Sequence, residues 1–227
     1  MAGIDDVYTR EIHRELNMYA AWTPDATYRL GDYGEFDGHI FRRIGNISDD
    51  FNIPIKPEEF PDREITHTSE GAVAVSVAAE VDSQGRVTGS AKLNVNFSRA
   101  NSVFFQAVGV KTRRIQNMKQ VGDALIGVYQ RKGREWRLEM AVVTEIRSAA
   151  TMVALISKKS NVGIGLKGRI RAGKERNPTT VDLSDLTVSV QNSDITHFTD
   201  NNGSTPLLMM HQVRDPLLSK PIFDSQR

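Results

Sequence analysis

Two stretches of the chain alternate apolar residues with small or polar ones over unusual length. In residues 72–97, AVAVSVAAEVDSQGRVTGSAKLNVNF, one parity holds Val73, Val75, Val77, Ala79 and Val81, then Ala91, Leu93, Val95 and Phe97. The other parity holds Ala72, Ala74, Ser76 and Ala78, then Ser90, Lys92, Asn94 and Asn96. A period of two is that of a β-strand, so the pattern predicts a hairpin with long arms around the polar turn at 82–86. Residues 146–171 predict a second hairpin. Its first arm carries Ala150, Met152, Ala154 and Ile156 on one parity, interrupted by Val153 and Leu155 on the other. Its turn is Lys158-Lys159-Ser160-Asn161. Its return arm sets Val162, Ile164, Leu166 and Ile170 against Gly163, Gly165, Lys167, Arg169 and Arg171.

Elsewhere the period lengthens. Ile4, Val7, Tyr8, Ile12 and Leu16 recur at helical spacing behind Asp5 and Asp6, which suit the positive end of a helix dipole. Arg10, His13 and Arg14 fall on the polar side of that helix. Ile115, Met118, Gly122, Leu125 and Tyr129 predict a central helix that stops near Gly133. Residues 28–46 divide into short strands at Gly31, Gly34, Gly38 and Gly45, without the spacing of a phosphate loop. Residues 48–63, acidic and containing Pro54, Pro57 and Pro61, predict a loop. Residues 101–110 (NSVFFQAVGV), 134–146 and 181–198 predict further strands. The fold class that follows is α+β: a twisted, mostly antiparallel sheet with two long β-hairpins, packed by an N-terminal amphipathic helix and a central helix. Residues 1–204 form the expected domain, and 205–227, with Pro206, Pro216 and Pro221, an expected C-terminal tail.

Composition narrows the chemistry. The 227 residues carry 29 Lys and Arg against 28 Asp and Glu, so whole-chain charge predicts no nucleic-acid partner. With no Cys, thiol nucleophiles, disulfides and zinc–thiolate sites are excluded. The acidic N-terminus does not read as a signal peptide, and no run approaches the roughly 18 apolar residues of a membrane-spanning helix. The histidines His13, His39, His67, His197 and His211 show no metal-ligand spacing. Asp49-Asp50, Glu58-Glu59 and Asp182/Asp185 read as solvated acids, and Asp32 with Glu35 and Asp37 could be read as a carboxylate cluster but offers too few oxygen ligands for calcium. The expectation is a non-enzymatic protein with no catalytic, metal or cofactor-binding residues and no cofactor. A hydrolase built on scattered carboxylates is the minority reading. The basic run Lys158, Lys159, Lys167, Arg169, Arg171, Lys174 and Arg176 lacks aromatics, which disfavours base stacking. It suits either a solvated sheet edge or an anionic lipid surface.

The predicted arms reach the roughly 9–11 residues that cross a bilayer when tilted, and their alternation is that of a strand between lipid and a wet lumen. Backbone groups in lipid need a closed barrel, so four strands per chain imply a ring of copies. The order of elements resembles the gasdermin pore-forming domain over residues 4–200. It runs from an amphipathic first helix through the early strand pair YRLGDYGEFDGHIFRRIGNISD and a long hairpin to the strand SVFFQAVGV. The helix RRIQNMKQVGDALIGVYQ, the strand MAVVTEI, a second hairpin and the closing strand LTVSVQNSDITHF follow. The short bacterial and fungal members are the nearest in length. The resemblance implies a precursor that is cytoplasmic when inactive and acts at the inner face of the cell membrane. There it would oligomerise on anionic lipid, insert both hairpins and cause cell death, after proteolysis of the tail or a meeting with a variant partner. Carried over by position, the membrane-inserting residues are Val73, Val75, Val77, Val81, Leu93, Val95, Phe97, Met152, Ile156, Val162, Ile164 and Leu166. The lipid-headgroup residues are Arg10, Arg14, Lys158, Lys159, Lys167, Arg169, Arg171 and Lys174. The alternative is a non-enzymatic α+β binding or assembly module that adds its hairpin strands to a partner.

Overall fold

A computed structural model describes residues 3–37, 39–77, 90–131, 135–171, 180–188, 193–200, 202–217 and 220–225, with backbone alone at 61–64, 74–77, 90–93, 167–171 and 180–188. In chain order the elements are α1 (Ile4–Leu16), β1 (Tyr19–Ala20), β2 (Asp32–Asp37), β3 (Ile40–Asn46), α2 (Ile47–Phe51), β4 (Pro57–Thr68), β5 (Ala72–Val77) and β6 (Ser90–Phe97). Then come β7 (Val103–Ile115), α3 (Met118–Tyr129), β8 (Ala141–Ala149), β9 (Thr151–Ser157), β10 (Val162–Arg171), β11 (Thr180–Val188), β12 (Ile195–Asp200), β13 (Ser204–Arg214) and β14 (Ile222–Ser225). The protein is α+β. Its ten-stranded antiparallel sheet has the path β1-β13-β8-β7-β9-β12, with β14 beside β13, β2 and β3 off β8, and β4 off β7. A separate four-stranded sheet has the order β11-β10-β6-β5.

The spine of the large sheet is one long ribbon. β8 and β9 keep a single register against β7, from Val103↔Ile156 and Val108↔Thr151 to Lys111↔Ser148 and Arg114↔Glu145. The ribbon breaks once, where Gly109 at φ +62° faces Ala150. A Cβ on Gly109 would lie 2.9 Å from that of Ala150, so glycine suits the site by both space and backbone. Every residue of β9 is buried. Met152, Ala154 and Ile156 pack with Tyr8 and Ile12 of α1, while Val153 and Leu155 pack with Val95, Phe97, Ile164 and Leu166 of the small sheet. The imperfect alternation of this segment thus comes from cover on both faces. At the other end of the sheet, Val121, Leu125 and Val128 of α3 close a second core over Ile115, Val142, Ile146 and Met210.

Four expectations are corrected. Residues 48–63 are not a loop: Asn46 caps α2 by accepting from the Ser48 N–H at 3.0 Å, and β4 begins at Pro57. Proline is tolerated in β4 because, among the described residues, it pairs only with β7 and so lies at a sheet edge. The strand expected over 134–146 begins only at Ala141. The strand expected over 181–198 is two strands in different sheets, β11 and β12. The boundary expected at 204/205 falls inside β13, whose Leu207, Leu208, Met210 and Val213 are fully buried against β8 and its neighbours. The expected helix stop at Gly133 and hairpin turn at 82–86 lie outside the described residues.

Candidate functional site

The four-stranded sheet contains most of the residues singled out in the sequence. β5 and β6 pair from Ala72↔Phe97 to Val77↔Lys92, so the arms of the first expected hairpin are partners over that span. The second expected hairpin does not form. β9 pairs with β7 and β12, whereas β10 pairs with β6 and β11. The sequence segment 146–171 crosses from one sheet to the other at its lysine turn. The hairpin that sits beside β5–β6 is β10–β11, joined through residues 172–179, which lie outside the described residues.

Register also corrects the first hairpin's faces. Directly paired residues share a face of an antiparallel sheet. Phe97 pairs with Ala72 and Val162, and Val95 with Ala74 and Ile164. Val73 pairs with Asn96, and Asn96 with Gly163. The sequence reading put Val73, Val75 and Val77 in one apolar set with Leu93, Val95 and Phe97. In the observed register the two arms have opposite parity, so positions 73, 75 and 77 share rows with Asn96, Asn94 and Lys92. Burial agrees: Val95 and Phe97 are at most 1 % exposed and Val73 is 55 % exposed. The inner face, with Ala72, Val95, Phe97, Ile164 and Leu166, closes on Phe104, Val153, Leu155 and Ile195 of the large sheet, with Val162 half-buried at its margin. On the outer face Gly163 leaves room for Asn96, whose Oδ1 would lie 2.5 Å from an added Cβ.

The other expected apolar residues part company with this sheet. Met152 and Ile156 are fully exposure-free positions of β9 beneath α1. Val81 lies outside the described residues, and Val75, Val77 and Leu93 are placed by backbone register alone.

Of the expected cations, Arg10 pairs with Asp6, and Arg14 lies 2.6 Å from both Glu11 and Glu15. The acids of α1 (Asp5, Asp6, Glu11 and Glu15) outnumber its arginines, so the helix does not present a basic face. Lys158 donates to the Ser193 carbonyl at 3.3 Å, and Lys159 pairs with Asp194 at 3.0 Å. Lys167, Arg169 and Arg171 sit at register positions opposite Lys92, Ser90 and Thr180. Lys174 lies outside the described residues.

Among the described residues, no alternative centre assembles from the scattered acids and histidines. Asp32 is fully buried and accepts from the Arg29 N–H and the Asn46 side chain, both at 2.9 Å. Glu35 pairs with Arg137, and Asp37 with Arg42 at 2.6 Å. His13 stacks on Tyr19, His39 faces Asp6 at 3.9 Å and His67 faces Glu11 at 3.5 Å. His211 shares a 2.8 Å hydrogen bond with Thr144, and burial lowers its pKa. Among the described residues no group of three or more His, Asp or Glu is placed to hold a metal ion.

The chain is similar to a solved structure, the cryo-EM structure of the Gasdermin A3 membrane pore, at 14 % identity over all of this chain and 95 % of that one, with a TM-score of 0.29. That score is too low to show a shared fold. No family model matches the sequence, and no curated protein matches it.

What the sequence reading missed is β11 as the partner of β10, and the β6–β10 contact that makes one sheet of two hairpins. One local signal marked the division of 181–198: Gln191-Asn192-Ser193-Asp194, a cluster of turn-forming residues inside an otherwise alternating run.

Proposed function

We propose that the protein is a precursor of a membrane pore in which several copies join their four-stranded sheets edge to edge on an anionic bilayer. One observation carries this reading. Two hairpins, β5–β6 and β10–β11, lie side by side in a sheet of their own, and among the described residues its outer strands pair only inward. Such a sheet crosses lipid only within a closed ring, where no backbone group lacks a partner. The antiparallel order supports closure by copies. β11 of one chain runs antiparallel to an incoming β5, as an even-stranded barrel requires.

Register supports a revised division of roles. The inner face (Leu93, Val95, Phe97, Val162, Ile164, Leu166) is the lipid side, because leaving the core exposes it and hydrocarbon covers it again. Val73, Val75 and Val77 fall on the lumen side with Lys92, Asn94 and Asn96. Lys158, Lys159, Lys167, Arg169, Arg171 and Lys174 are the headgroup candidates. Arg10 and Arg14 join them only by leaving their acidic partners. Met152 and Ile156 stay in the core. Cleavage at the exposed residues Asp215, Pro216 and Leu217 is the form of proteolytic release that spares β13.

Dye-loaded vesicles with and without anionic lipid test the proposal, using the full chain and a chain ending at Arg214. Release from anionic but not neutral vesicles by either form supports it. Intact vesicles with both forms refute it. The same free edges favour a second reading, strand addition to a protein partner, which predicts a stable stoichiometric complex and no release.

A further inference from the structure

The chain passes between its two sheets at one end only, through segments 69–71, 98–102 and 158–161 and a fourth crossing whose described residues are Ser193 and Asp194. These crossings are bonded to one another. The first and second are tied by the Ser69 N–H to the Val103 carbonyl (2.9 Å), the Val103 N–H to Ser69 Oγ (2.9 Å), and both the N–H and hydroxyl of Ser98 to the Gly71 carbonyl. The second and third meet at Ser157. Its Oγ accepts from the Ser102 N–H at 3.0 Å and donates to the Arg99 carbonyl at 2.9 Å, while its backbone carbonyl accepts from the Asn101 N–H. The third and fourth are tied by the Lys158 N–H to the Asp194 carbonyl at 2.7 Å and by the Lys159–Asp194 pair. Ser157 is fully buried, and Ser102 and Ser69 nearly so.

We propose that this serine-braced junction is a conformational lock that holds the four-stranded sheet docked, and that losing the Ser157 hydroxyl frees that sheet while the ten-stranded sheet stays folded. Ser157→Ala leaves the buried Ser102 N–H without its side-chain acceptor and the Arg99 carbonyl without one of its two hydroxyl donors, and a buried polar group left unpaired is costly. The loss falls at the last residue of β9, at the end of the ten-stranded sheet where the chain crosses, and outside the ladders of the four-stranded sheet. Gly71 gives a second handle, because a Cβ there would lie 2.1 Å from Ser102 Oγ and drive the first crossing from the second. The lock itself does not depend on the membrane reading; its role in pore opening rests on it.

Amide hydrogen exchange on the full chain tests the lock without any membrane. In Ser157→Ala and in Gly71→Ala, exchange in β5, β6, β10 and β11 is expected to accelerate about tenfold or more, with β7, β8, β9 and β13 unchanged. Acceleration spread equally over both sheets, or none in the small sheet, overturns the proposal. If Ser157→Ala does not fold, Gly71→Ala decides by the same criterion. A vesicle-release assay on the same variants separates the two ideas. A loosened sheet with intact anionic vesicles keeps the lock and sinks the pore reading. An unchanged sheet with dye release does the reverse.

Discussion

Val73 and Val95 are the same residue type on paired strands, one row apart, and their faces decide which hairpin surface is covered. Truncating each to alanine measures that cover. At Val95, with no exposed area, the change removes two buried carbons, worth about 1.6 kcal/mol at about 0.8 kcal/mol per buried methylene. An unrelaxed cavity between the sheets adds to this, giving about 1.5–3 kcal/mol. At Val73, more than half exposed, little burial is lost and the cost is below about 1 kcal/mol, mostly strand propensity. Urea unfolding followed by circular dichroism reads the difference. With a slope of about 2–3 kcal/mol/M, Val95→Ala is expected to lower the midpoint by about 0.5–1.5 M and Val73→Ala by much less, with the slope unchanged in both. Equal shifts, or a larger one at Val73, would refute the register and restore the single apolar parity suggested by the sequence.

Three further outcomes follow from the same structure. His211 has a lowered pKa from burial, so the unfolded chain binds its proton more readily; stability is complete above the ordinary histidine range near pH 6.5 and falls as pH drops below it, and His211→Gln should flatten that part of a stability-against-pH curve. Asp32→Ala removes the acceptor of the Arg29 N–H and the Asn46 side chain and leaves Arg43 without its 3.4 Å partner, so thermal unfolding should show a loss of about 3–5 kcal/mol; a loss under about 1 kcal/mol would mean that the buried network is not stabilising. Gly122→Val places a side chain where even a Cβ lies 2.9 Å from Phe223, so β14 should be displaced from α3, seen as faster proteolysis beyond Arg214 with the rest of the chain protected; an unchanged digest would show that Phe223 simply moves aside.

Much of the secondary structure was legible because local periodicity reports which face of an element is covered. The period of α1 placed Tyr8 and Ile12 in the core, and that of α3 placed Gly122 and Leu125 there, though it left out Val121 and Val128. The α+β class, the first hairpin's arms and the parity of β10 could also be read along the chain. Pairing was not legible. Ile146 to Arg171 looks like a hairpin because alternation continues across Lys158–Asn161, yet β9 and β10 enter different sheets.

The sequence by itself determined the helical periods of α1 and α3, the alternation of the strands around them, that no thiol chemistry is possible, and that residues 72–97 hold two strands. Only the tertiary structure decided which arms share a face, that β6 meets β10, and that Ser204–Arg214 is a central strand instead of a tail. The physical reason is that alternation reports burial relative to a local backbone, whereas register depends on loop geometry and on partners distant in sequence. A loop that shifts pairing by one residue exchanges every side chain between faces, and no pattern within either strand records that choice.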